Sequence, residues 1–169
     1  MKQVVNVKYL KDNEFNRVIV LPLDDCESSQ YAVEWSKKYL FNKSDRIVLV
    51  NCKSITELAK AALPSISLGK DKDEDLHEND QQKMMECYVS ELEGFNVEYY
   101  IGVGDVKKDL TEFVDSLHGN LVVIGQEGEG IGKTLMGTVS TFVTKYCKAP
   151  VLIVKWDEQK QGYKEVTEQ

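Results

Sequence analysis

Short runs of consecutive apolar, mostly β-branched residues constrain this chain more than any other feature. Val18 to Leu21 (VIVL), Ile47 to Val50 (IVLV), Leu121 to Ile124 (LVVI) and Val151 to Val154 (VLIV) contain no polar position. A strand with one wet face alternates apolar and polar residues, whereas a strand covered on both faces does not. Such runs therefore belong inside a parallel sheet with helices on each side. Asn96 to Val103 (NVEYYIGV) reads as a further strand, and Pro22 is expected at the end of the first, since it has no N–H for a ladder.

Between these runs the period changes to that of a helix. Ala32, Trp35 and Tyr39, with Leu40 beside them, mark the inward face of a first helix that Ser28 and Ser29 are placed to cap. Met85, Tyr88, Val89 and Leu92 mark a helix from about 76 to 92 ended by Gly94, with Met84 and Met85 as core filling. Val106, Leu110, Phe113, Val114 and Leu117 face a third helix, and Leu135, Val139, Phe142, Val143 and Tyr146 a fourth. Strands alternating with helices predict an α/β sandwich built from right-handed β-α-β units. Residues 1–15 show no sustained period and read as an extension, 16–156 as the single domain, and 157–169 as a polar tail. Between the second and third strands, Ile55 to Ala62 is a candidate short helix. Pro64, Gly69 and the run KDKDEDLHEND predict a long solvated connection.

The stretch Leu121 to Val143, LVVIGQEGEGIGKTLMGTVSTFV, carries the functional signal. A buried strand breaks at Gly125 into a segment that also holds Gly128, Gly130 and Gly132, and a helix follows. Glycines allow positive φ and close approach of a ligand to the backbone. A helix start adds free N–H groups and a positive dipole end, so the arrangement is suited to phosphate, although the same glycines also serve a plain connection.

Composition excludes several classes. A net charge of -7 argues against nucleic acid and anionic membranes as partners, which need a basic face. No window approaches a membrane span and the N-terminus is too polar for a secretory signal, so a cytoplasmic location is expected. Cys26, Cys52, Cys87 and Cys147 lack metal-ligand spacing and are read as reduced, mostly core cysteines. His77 has no second ligand nearby, and His118 suits a helix C-terminus. No catalytic or metal-ligating residue is assigned.

These residues in this order resemble the universal stress protein family, with DDCESSQYAVEWSKKYLF closest to eukaryotic members and the likeness spanning about 16–155. The family's nucleotide-binding branch carries G-x2-G-x9-G-[ST]. Here Gly125-x2-Gly128 is followed by Gly137-Thr138 after eight residues instead of nine. The resemblance implies an adenine nucleotide α-hydrolase-like fold: an open five-stranded parallel sheet of order 3-2-1-4-5 with helices on both faces. It implies an adenine nucleotide, ATP with Mg2+, near the carboxyl ends of strands one and four, held without turnover in a stress-response or signalling role. Pro22 and Asp24 would then flank adenine and ribose, and the backbone around Cys52 would read the base. Gly125, Gly128, Gly137 and Thr138 would hold ribose and phosphates, with a backbone donor from Val139. It further implies a homodimer through the edge strand Val151 to Val154.

Physics adds a constraint on this loop. Glu127 and Glu129 stand where polyphosphate would approach. At about 5 Å and an effective dielectric near 20, one carboxylate facing one phosphate charge costs roughly 3 kcal/mol. A micromolar complex has only about 8 kcal/mol in all. Binding is weak unless the side chains turn outward or a divalent ion bridges them, with Lys133 offsetting part.

Three other readings compete. Gly132-Lys133-Thr134 matches the end of a P-loop, but the first glycine of that motif is misplaced. A hydrolase using Asp24 as base and Thr138 or water as nucleophile lacks supporting spacing. The alternative function is a nucleotide-free homodimeric signalling module, in which the glycines serve only the turn and Asp24 caps the first helix.

Overall fold

A computed structural model describes residues 6–8, 15–54, 73–127 and 137–156. In chain order the elements are β1 (Asn6–Lys8), β2 (Arg17–Pro22), α1 (Glu27–Tyr39), β3 (Asp45–Ser54), α2 (Asp73–Glu91), β4 (Asn96–Gly104), α3 (Val106–Ser116), β5 (Leu121–Glu127), α4 (Thr138–Tyr146) and β6 (Val151–Trp156). The sheet order is β1-β4-β3-β2-β5-β6. Its five parallel strands follow the order 3-2-1-4-5 that the sequence implies, with β2 at the centre. The addition is β1, which pairs antiparallel with β4 through Asn6–Tyr99, Val7–Glu98 and Lys8–Val97. Three residues are too few to show a period, which is why the sequence marks only an extension there.

Both faces of the sheet are covered, as the continuous apolar runs require. On one side Ile19, Leu21, Ile47, Leu49, Val97, Tyr99 and Val123 join Ala32 and Val33 of α1 and Met85, Tyr88 and Leu92 of α2. On the other, Val20, Val48, Val50, Tyr100, Val122 and Ile124 meet Leu110 and Val114 of α3 and Val143 of α4. β2 contributes Ile19, Val20 and Leu21, all fully buried and pointing alternately to the two sides. At the amino ends of the strands the half-buried Arg46 pairs with the buried Glu98 at 2.6 Å, and Arg17 pairs with the buried Asp45 at 2.7 Å.

The helices differ from expectation in detail. α1 begins at Glu27 with Cys26 as its N-cap and no side-chain capping bond, so Ser28 and Ser29 lie in its first turn. Its buried face is Ser28, Ser29, Ala32, Val33 and Ser36. Tyr39 is exposed and packs its ring against the half-buried Trp35. The small buried residues let α1 lie close to β5, and larger apolar groups are kept to the helix edges. α2 starts at Asp73, so the latter part of the acidic run is helical rather than loop. It ends where Gly94 takes φ +86, a left-handed turn that glycine accepts without strain. α3 is capped by Asp105, which accepts from the N–H groups of Lys107 and Lys108. His118 is an exposed turn residue beyond its end, with φ +51. Tyr146, expected on the inner face of α4, is exposed and stacks beside Phe142 at 4.5 Å. The candidate helix Ile55 to Ala62, the position of Leu135 and the tail 157–169 lie outside the described residues.

Candidate functional site

A cavity of about 460 Å³ opens at the carboxyl ends of β2, β3 and β5. Strand order reverses at β2, where the chain has built β3 and β4 on one side and returns to place β5 on the other. Ligands of open α/β sheets sit in this crevice because the connections leave in opposite directions and part there. The walls are Pro22, Leu23 and Asp24 after β2, Val50 and Cys52 of β3, and Ile124, Gly125 and Gln126 of β5. The first turns of three helices close it: Ser28 and Ser29 of α1, Val106 of α3, and Thr138, Val139 and Ser140 of α4. Helix starts carry N–H groups without intrahelical partners and a positive dipole end; at α3 Asp105 takes two of them, while α1 and α4 have no side-chain cap.

Of the nine residues picked from the sequence, Pro22, Asp24, Cys52, Gly125, Gly137, Thr138 and Val139 line this cavity together. Gly128 and Lys133 lie outside the described residues. Among the wall residues that sequence reasoning missed are Ser28, Ser29, Val106, Gln126 and Ser140. Each sits within three residues of a strand or helix end already placed at the switch point, which was the available signal.

Gly125 has a packing role besides its place in the cavity wall. β5 runs on through Gly125, Gln126 and Glu127, which pair with Val154, Lys155 and Trp156. Gly125 is thus a strand residue, and its backbone is not left-handed. A Cβ at Gly125 would stand 2.1 Å from the carbonyl oxygen of Ser28 and 3.1 Å from the backbone nitrogen of Ser29. Glycine is needed so that the first turn of α1 can lie on the strand. Gly137 is the N-cap of α4 at φ -62, and among the described residues an added Cβ would meet only the Ser140 hydroxyl at 3.6 Å.

Asp24 anchors a small polar cluster at the mouth. Its Oδ1 accepts from the Ser29 hydroxyl at 2.6 Å, the Cys26 thiol at 2.6 Å and the Cys26 N–H at 3.2 Å. Its own N–H donates to the Ser29 oxygen at 3.2 Å. Asp24 therefore organises the turn before α1 and does not cap the helix as such. Burial pushes its carboxyl pKa upward, but the bonds from Cys26 and Ser29 outweigh that, and it stands below the usual carboxylate range. An exposed, ionised acceptor at one end of the cavity and the start of α4 at the other suit a ligand with hydroxyls at one end and negative charge at the other.

The cysteines are not core: Cys26, Cys52 and Cys147 are half-buried and Cys87 is exposed. Burial raises the Cys147 thiol. Among the described residues no group of three His, Cys, Asp or Glu is placed to hold a metal ion, and no helix is long and apolar enough to cross a membrane.

A doubly wound α/β domain with a crevice at its switch point is a broad class, and comparison with known proteins narrows it. The chain matches the universal stress protein family over residues 16–155, and it belongs to that family. It is 27% identical over 137 residues to a universal stress protein A-like protein of Arabidopsis thaliana, covering 76% of this chain and 78% of that protein. Among solved structures it is similar to a universal stress protein family protein of Arabidopsis thaliana with AMP bound. There the TM-score is 0.62 at 18% identity, with 85% of this chain and 94% of the other covered. It is also similar to a universal stress protein in complex with cAMP, with a TM-score of 0.52 at 19% identity and coverage of 82% and 96%. At these identities the two structures speak for the fold.

Proposed function

We propose that this chain binds an adenine nucleotide in the switch-point cavity and acts in a stress-response or signalling role by binding rather than turnover. The observation that carries the reading is the cavity itself. Its volume of about 460 Å³ falls within the range common to small-molecule sites, roughly 300–1,000 Å³. Three helix starts and one ionised carboxylate line it. Two structures of the same fold carry AMP and cAMP, which supports an adenine nucleotide.

In this reading Pro22 and Asp24 flank adenine and ribose, with the Asp24 carboxylate accepting from ribose hydroxyls. The backbone at Cys52 meets the base edge. Gly125 brings α1 close enough to form the wall, while the N–H groups of Thr138 and Val139 at the start of α4 receive phosphate. Gly128 and Lys133 would complete the phosphate end. ATP with Mg2+ is the proposed physiological form, because a divalent ion offsets the charge of Glu127 and Glu129. The proposed setting is cytoplasmic.

A homodimer is proposed through β6. This strand is the outer edge of the sheet, paired with β5 on one side, and its Val151, Leu152 and Ile153 are only partly covered. An apolar edge strand of this kind invites pairing with a second copy. The same observation supports the nucleotide-free dimeric module as the alternative function. Calorimetric titration with AMP, ATP with and without Mg2+, and GTP separates the two. The adenine reading expects saturable binding of AMP and ATP and weaker binding of GTP. Heat of dilution alone at millimolar AMP and ATP would overturn it. Light scattering that finds only monomer would overturn the dimer.

A further inference from the structure

Helix α2 packs on the α1 side of the sheet and none of its described side chains lines the cavity, yet it holds the backbone of two cavity-wall residues. The Tyr88 hydroxyl donates to the Asp24 carbonyl at 3.2 Å. Gln81 donates to the Asn51 side-chain oxygen, and the buried Asn51 amide in turn donates to the Leu23 carbonyl, at 2.5 and 2.7 Å respectively. The Leu23 N–H donates to the Val50 carbonyl at 2.8 Å. Gln81, Met85, Tyr88 and Leu92 recur at the spacing of one helical face, and Met85, Tyr88 and Leu92 are buried against the sheet. One rigid face thus fixes successive carbonyls of the turn that carries the Asp24 side chain.

The geometry points to Tyr88, seconded by Gln81 through Asn51, as a positioning residue for the nucleotide site that sets the Asp24 carboxylate from outside the cavity. The inference rests on the nucleotide reading above and extends it to residues behind the cavity wall. Among the described residues the turn Leu23–Cys26 has few other restraints: Asp24 and Asp25 are exposed, and the cluster of Asp24, Cys26 and Ser29 is held from within the same seven-residue segment. Without the bond to its carbonyl, Asp24 is free to rotate its peptide plane and lose the geometry in which Ser29 and Cys26 donate to its carboxylate.

The test is Tyr88→Phe, which keeps the buried ring and removes only the hydroxyl. AMP affinity is measured by calorimetry, and the Asp24 carboxyl titration by carbon-detected NMR without nucleotide. The inference expects AMP affinity to fall about fivefold, the scale of one neutral hydrogen bond. It also expects the Asp24 pKa to rise toward the ordinary carboxylate value, with the Met85 amide still protected from exchange. Gln81→Met should show the same pattern more weakly. Unchanged affinity, or lost affinity with an unchanged Asp24 titration, would overturn the inference, because Tyr88 would then be a packing residue. Wild-type protein that binds no AMP would instead overturn the nucleotide reading, and the Asp24 titration of Tyr88→Phe would still decide whether α2 sets the carboxylate.

Discussion

Replacing Gly125 with alanine should damage the protein through packing before it touches any ligand. The added Cβ would lie 2.1 Å from the Ser28 carbonyl oxygen and 2.5 Å from its carbon. Carbon and carbonyl oxygen settle at about 3.3 Å or more. Strand and helix would therefore have to part by roughly 1 Å, and neither partner is a side chain that can swing away. Overpacking in a close-packed interior usually costs about 1–3 kcal/mol, and contact between two backbones belongs at the upper end. For a domain of this size each kcal/mol lowers Tm by about 2–4 °C, so a fall of roughly 6–12 °C is expected. Thermal unfolding followed by circular dichroism without nucleotide reads it directly. Gly137→Ala is the control: among the described residues its Cβ meets no clash, and the expected loss is the few tenths of a kcal/mol of a poorer N-cap. Equal Tm values for wild type and Gly125→Ala would refute the packing argument. Any loss of AMP binding would then have to come from the ligand's own approach to the strand.

Other expectations follow from charge and burial. Glu127→Ser should tighten ATP binding, by up to about a hundredfold if the carboxylate faces phosphate as estimated, and affect AMP less; unchanged ATP affinity would show that the carboxylate turns away. Arg46→Met leaves Glu98, 2% exposed, without its ion-pair partner, and should cost about 3 kcal/mol or more in urea unfolding, partly restored by adding Glu98→Gln. Burial first, then the negative charges around Cys26 and Asp24, push the Tyr88 hydroxyl up to about 12. Its folded pKa is raised, so its stabilisation is complete below pH 10 and drains away as pH climbs from about 10 toward 12. Tyr88→Phe should flatten that alkaline loss, seen as a smaller drop in Tm over the same interval.

The architecture was legible because burial on both faces of a strand leaves a direct mark in sequence. VIVL, IVLV, LVVI and VLIV each became a parallel strand, and helix periods fixed the faces of α2 and α3. Residues where short-range signals compete with tertiary contact were not legible. Ser28 and Ser29 look like caps, yet they form the small buried face on which α1 approaches β5. Gly125 looks like the first residue of a loop, yet it is the strand residue that this approach demands, and nothing local distinguishes the two roles. Tyr39 and Tyr146 fit the helical period at the last turn, yet both are exposed and pack only against a ring of their own helix, Trp35 and Phe142 respectively, among the described ring contacts. Likewise Tyr88 reads as core from its spacing, and only its hydroxyl's contact with Asp24, 64 residues earlier, ties it to the cavity.

The most direct test of the central claim is to denature freshly purified, untagged protein and identify any released nucleotide by mass spectrometry, alongside titration of ATP with and without Mg2+. The account predicts an adenine nucleotide, released with the protein or bound on titration, and tighter ATP binding with Mg2+ than without. Nothing released and no binding at millimolar ATP would contradict it, leaving the crevice between β2 and β5 as structure alone and β6 as the functional surface.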